Sequence, residues 1–229
     1  QGLLAILNEL VDTEQRYVCV SRPRRFGKSM AANMLAAYYG SSEDTSALFA
    51  SLEISQCAGY RDHLNQYDVL KINMQDFLSE SQSIEDMLAH LTACLIRDLK
   101  NGFPQIDFSY AKSLVSVMRE VFAQTGRSFV ILIDEWDCLF REYESNKEAQ
   151  KQYLDFLRVW LKDKEYVGLA YMTGILPIKK YGSHSALNMF TEYSMTNPRE
   201  MAGYFGFTED DLRPTDLTLV QTRSNSVSN

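Results

Sequence analysis

Apolar residues fall along this chain in two alternating rhythms. Leu3, Leu4, Ile6, Leu7 and Leu10 recur at helical spacing, so the chain enters on an amphipathic helix. Tyr17 to Ser21, YVCVS, is a short β-rich run, and Lys28 to Tyr39 follows with strong helix formers until Gly40 and Ser41 stop it. Asp68 to Met74, DVLKINM, predicts a second strand, and Ile84 to Leu99 carries an apolar face at positions 84, 87, 88, 91, 95 and 99. Beyond the breakers Gly102 and Pro104, Phe108 to Gln124 reads as another helix, closed by Gly126. Phe129 to Ile133, FVILI, is apolar on both faces, which suits a central strand of a parallel sheet covered by helices on each side. Lys147 to Lys162 is helical again, with Tyr153, Phe156, Leu157, Trp160 and Leu161 on one side, and GLAYMTG, Gly168 to Gly174, is the fourth strand. The last periodic element is a helix over Pro198 to Phe205, capped by Asn197 with proline in its first turn.

Strands alternating with helices predict an α/β fold built on a doubly wound, mainly parallel sheet in three layers. One domain is expected over residues 1–212, followed by a polar tail over 213–229 whose serine and asparagine content predicts disorder. There is no internal repeat. A chain of 229 residues can bury a sizeable core. With 45% apolar and 23% charged residues it has the mixture of a globular protein, which excludes wholesale disorder.

The net charge of −7 offers no whole-protein attraction to polyphosphate or to anionic membrane. Nucleic acid as a partner would therefore need a local basic patch. No stretch approaches the roughly 18 apolar residues of a membrane span, and Gln1 to Leu10 lacks the basic flank of a signal peptide. Cys19, Cys57, Cys94 and Cys138 form no CxxC pair, so free buried thiols in a reducing, cytoplasmic setting are expected, with no membrane partner. His63, His90 and His184 stand apart from one another and from cysteine, so no metal site built on histidine and cysteine is expected.

The candidate chemistry begins at SRPRRFGKSM, Ser21 to Met30. A phosphate-binding loop is a strand-to-helix turn whose backbone N–H groups face phosphate oxygens, with a lysine on the β and γ phosphates and a hydroxyl on magnesium. Gly27, Lys28 and Ser29 match its last three positions and open a helix directly after a strand. The first glycine of such a loop would fall at position 22, where this chain has Arg22. Pro23 supplies another way to fix the turn, since its ring sets φ. Arg24 and Arg25 either add positive charge beside the phosphates or form a solvated basic turn. Phe26 and Met30 complete the candidate nucleotide-binding set.

About 105 residues further on, FVILIDEWD supplies two carboxylates at the end of the buried strand. Asp134 is the candidate magnesium ligand alongside Ser29, and Glu135 the candidate base that polarises the attacking water. Asp137 reads as a helix cap. Thr173, closing the fourth strand, is either a γ-phosphate sensor or an ordinary polar strand end. Arg158 and Arg199 are either arginine-finger candidates or surface charges, and a finger delivered by a neighbouring copy would make the protein a homo-oligomer.

SRPRRFGKS, LIDEWD, MTGILPIKKYGSHSALNMF and YFGFTEDDL together resemble the predicted AAA-ATPase-like family of bacterial P-loop proteins, whose members commonly carry an RPRRFGKT or RPRRFGKS loop and a LIDEYD strand. By that pattern Arg22 is the family's own version of the loop start, and Trp136 stands where tyrosine is usual. The resemblance runs from about Gln1 to Leu212. It implies a P-loop NTPase sheet of the ASCE/AAA type, ATP as substrate, magnesium as cofactor, phosphate contacts from Lys28 and Ser29, the magnesium acid at Asp134 and the catalytic glutamate at Glu135. Members often continue into a helical region and a PD-(D/E)xK nuclease-like domain. This sequence therefore reads as a fragment, a truncated product or a natural short form, and no nuclease site is assigned. The expected function is magnesium-dependent ATP binding and hydrolysis coupled to movement of a protein partner or effector domain. The alternatives are a catalytically silent nucleotide-binding or scaffold module and, more remotely, direct DNA binding through the RPRR patch.

Overall fold

The computed structural model describes residues 2–23, 27–178 and 187–194. Helix α1 (Leu3–Leu10) leads into β1 (Tyr17–Ser21), and the chain then enters α2 (Lys28–Tyr39). Short helices α3 (Ser46–Phe49) and α4 (Tyr60–His63) precede β2 (Asp68–Asn73), which runs straight into α5 (Met74–Ser79). The long α6 (Ile84–Gly102) and α7 (Leu114–Thr125) bring the chain to β3 (Phe129–Asp134). After it come α8 (Cys138–Glu142), α9 (Lys147–Leu161), β4 (Val167–Gly174) and β5 (Thr191–Ser194).

The five strands form one sheet in the order β2-β3-β4-β1-β5, parallel at every pairing. The expected three-layer α/β fold follows from how these strands distribute their side chains. Val130 and Leu132 pack with Val18, Val20, Leu169 and Tyr171 against α1 to α4 on one face. Ile131 and Ile133 pack with Cys19, Ala170 and Met172 against α5 to α9 on the other. A strand whose alternate residues serve two cores has no polar face, which is why FVILI is apolar throughout. The chain crosses from β1 at one side of β4 to β2 and β3 at the other. The loops after β1 and β3 therefore flank the C-terminal end of β4, the place where an open α/β sheet forms its crevice.

Four expectations change in detail. The helix read from Phe108 starts at Leu114, because Ser113 caps it: its hydroxyl accepts from the Ser116 N–H at 3.1 Å while the Ser116 hydroxyl accepts from the Ser113 N–H at 2.8 Å. Met74 opens α5 and does not end β2, because the Asn73 side chain caps that helix through the Gln75 N–H at 3.1 Å. Strand β5 comes without a sequence signal, since TEYS is short and polar. All four cysteines are free, but only Cys19 and Cys138 are buried. Among the described residues no helix is long and apolar enough to cross a membrane. The expected helix over Pro198 to Phe205, Arg199, His184 and the tail over 213–229 lie outside the described residues.

Candidate active site

Gly27 caps α2 from the left-handed region, φ 72° and ψ 13°. A Cβ there would meet nothing within 4 Å, so glycine is needed for its conformation and not for space. The next residue, Lys28, is buried, and its ammonium donates to the carbonyls of Arg22 at 2.9 Å and Pro23 at 2.8 Å. Burial pushes its pKa down, against the opposing pull of the Glu135, Asp134 and Asp137 carboxylates. Arg22 is buried too, and its backbone N–H donates to the Gly174 carbonyl at 3.0 Å, tying the loop start to the end of β4. Met30, in the first turn of α2, is exposed. Arg24, Arg25 and Phe26 lie outside the described residues.

Asp134 gathers hydroxyls from two other elements. One oxygen accepts from the Ser29 hydroxyl at 2.5 Å; the other accepts from the Thr173 hydroxyl and from the Glu135 N–H at 3.0 Å. The start of α2, the end of β3 and the end of β4 therefore meet at one carboxylate. Thr173 is fully buried and turned to Asp134, so it is not a strand end reaching solvent. A hydroxyl and a carboxylate beside an ammonium are hard donors of the type that suits a small divalent cation such as magnesium.

Glu135 adopts φ 54°, unusual for a side chain of its size, and its carboxylate is ion-paired with Arg141 of α8. The turn is fastened on either side. The Trp136 N–H donates to the Thr173 carbonyl at 3.0 Å, and the Tyr153 hydroxyl donates to the Trp136 carbonyl at 2.7 Å. Asp137 corrects its sequence reading. It occupies the N-cap position of α8 but makes no side-chain cap bond there. One oxygen instead accepts the backbone N–H groups of Ile175 at 2.9 Å and Leu176 at 2.8 Å, holding the loop that follows β4. Gly174 leaves room for this packing, since a Cβ would stand 2.6 Å from the Trp136 indole nitrogen and 2.8 Å from Asp137 Oδ1.

Two participants were not legible beforehand. Arg141 sits in a five-residue helix too short for periodicity to register. Glu192 of β5 accepts from the Ile178 N–H at 3.0 Å and lies 3.1 Å from the Ser21 hydroxyl, buttressing the ends of β1 and β4. Arg158 is remote from this cluster in its bonding: it pairs with Asp155 on its own helix at 3.0 Å, as a surface charge does.

The chain is 25% identical over 209 residues to "Uncharacterized protein in vnfD 5'region" of Azotobacter chroococcum mcd 1, an alignment that takes in 89% of this chain and 38% of that relative. The chain thus spans well under half of the relative's length. No solved structure matches it. A family model described as Predicted AAA-ATPase matches residues 5–183, and with that match over most of its length the chain belongs to the predicted AAA-ATPase family.

Proposed function

We propose that the protein binds ATP with magnesium and hydrolyses its terminal phosphoanhydride, coupling the step to movement of a partner or effector domain. The observation that carries this reading is the 2.5 Å hydrogen bond from Ser29 to Asp134, which joins the two motifs across 105 residues with Lys28 at its side. Lys28 and the backbone N–H groups of Gly27, Ser29 and Met30 hold the β and γ phosphates, with Arg22, Pro23, Arg24, Arg25 and Phe26 forming the loop around them. Ser29 and Asp134 hold the magnesium ion, which when bound neutralises charge on the phosphates. Glu135 takes the proton of the attacking water as that oxygen bonds to the γ phosphorus and the bond to the bridging oxygen breaks. Thr173 keeps Asp134 oriented through its hydroxyl.

The test is a pair of variants read for both binding and phosphate release. Glu135→Gln is expected to bind ATP with wild-type affinity and to lose at least about a hundredfold in turnover, the lower end of what a positioned base supplies. A Glu135→Gln protein that hydrolyses at the wild-type rate refutes the assignment. Wild-type binding without any phosphate release supports the silent, switch-like alternative in its place.

A further inference from the structure

We infer that Arg141, anchored by Asp137, is a positioning residue that fixes the carboxylate of Glu135 for its work on water. The inference rests on the role proposed above for Glu135 and adds the group that controls its geometry. A glutamate has three side-chain torsions, whereas a general base has to reach the proton it removes within hydrogen-bond distance. Glu135 also projects from a left-handed backbone residue, φ 54°, off the rigid end of β3. Its own backbone N–H is taken by Asp134, which fixes the main chain but leaves the carboxylate to find a partner of its own.

Arg141 provides that partner. One terminal nitrogen of its guanidinium pairs with Glu135 Oε2, and its Nε lies 3.6 Å from Asp137 Oδ2. Asp137 is 0% exposed, and the same oxygen accepts two consecutive backbone N–H groups, those of Ile175 and Leu176. The anchor is thereby locked to the main chain immediately after β4, the strand whose Thr173 holds Asp134. Both carboxylates at the tip of β3 are thus referenced to β4, Asp134 through Thr173 and Glu135 through Arg141 and Asp137. A guanidinium suits this duty because its planar fork can face two carboxylates at once, which a lysine ammonium on a flexible stem does not reproduce. The pair uses Oε2 of Glu135, which leaves Oε1 as the oxygen for the water proton.

The experiment compares wild type, Arg141→Lys, Arg141→Gln and Glu135→Gln in magnesium-dependent steady-state hydrolysis, with nucleotide affinity and melting temperature measured on the same samples. Arg141→Lys keeps a positive charge beside buried Asp137 and so preserves the fold. It is expected to leave the melting temperature and affinity essentially unchanged while kcat falls about tenfold or more, with KM within about threefold. Arg141→Gln is expected to lose at least as much. An Arg141→Lys protein with wild-type kcat overturns the inference, as does one whose affinity, KM and melting temperature deteriorate together, the sign of a merely structural arginine. A rise in kcat overturns it as well, since that would make the pair a brake. A Glu135→Gln protein with wild-type turnover removes the underlying assignment, whereas an inactive Glu135→Gln beside a normal Arg141→Lys removes this inference alone.

Discussion

Two turns at the C-terminal end of the sheet solve one backbone problem in opposite ways. The loop after β1 reaches α2 through Gly27 at φ 72°, and the turn after β3 passes through Glu135 at φ 54°. Gly27 has open space around it and no side chain to strain. Glu135 carries the conformation with a full side chain, at a cost on the order of 1–3 kcal/mol for a residue other than glycine in this region. That cost is offset by neighbours: Asp134 takes its N–H, Thr173 and Tyr153 pin Trp136, and Arg141 holds its carboxylate. The first turn has glycine at its left-handed position, while the second is held there by groups from α8, α9 and β4. Where a carboxylate occupies the turn, the surroundings carry the strain that glycine would remove.

The sharpest way to break the second turn is at its anchor. Asp137→Ala removes a fully buried carboxylate, leaves the Ile175 and Leu176 N–H groups without their acceptor, and strands Arg141. A loss of about 3–5 kcal/mol is expected in urea unfolding, as for other broken buried charge pairs. A loss below 1 kcal/mol would mean that the turn does not depend on this anchor. Gly174→Ala attacks the same turn by crowding, because its Cβ would meet the Trp136 indole at 2.6 Å. Overpacking of this kind costs about 1–3 kcal/mol.

Exchanging the two solutions separates the turns further. Gly27→Ala puts a Cβ on a left-handed residue without a clash and should cost about 1–2 kcal/mol. Glu135→Gly relieves the corresponding strain but gives up a partly exposed ion pair, so its stability should remain within about 1 kcal/mol of wild type. Equal losses in the two variants would contradict the distinction drawn between the turns.

The smallest expected effect at neutral pH belongs to tyrosines of the two cores. Burial pushes the Tyr67 phenol up to about 12 and raises Tyr39, Tyr153 and Tyr171 well above their ordinary value. The unfolded chain releases these protons near pH 10 while the folded chain keeps them. Stability from these groups is complete below about pH 10 and is lost as pH rises toward 12. Lys28 acts with the opposite sign, because its depressed pKa makes folding easier as pH rises, but burial also raises Tyr38, Tyr166, Cys19 and Cys138, which add to the four phenols. Urea midpoints should therefore fall between pH 9 and 11, by about the amount that phenol ionisation of the unfolded state dictates; a flat profile would contradict the burial of these rings.

What the sequence disclosed depended on how local each signal was. Strands β1, β3 and β4 and helices α2 and α9 came within a residue or two of their positions because long apolar runs and helical stripes decide them locally. The start of α7 was misplaced because Phe108 and Ala111 are apolar yet pack on the core from a loop, while the true signal was the Ser113–Ser116 capping pair. β5 was missed because an edge strand of four residues, TEYS, is held by pairing with β1 and by Glu192 rather than by its own composition. At the candidate site the motif residues Lys28, Ser29, Asp134 and Glu135 were legible by spacing. The roles of Asp137 and Arg141 were not, because they depend on where the backbone of Ile175 and Leu176 arrives, a long-range fact that no local pattern encodes.

The proposed ATPase activity requires that Lys28 open a nucleotide site completed by Asp134. Calorimetric titration of ATP with magnesium into the full chain and into Lys28→Ala tests it most directly. One equivalent of ATP bound by the wild type, with no measurable heat from a folded Lys28→Ala protein, is the predicted result. Equal binding by the two proteins, or no binding by a folded wild type, would contradict it.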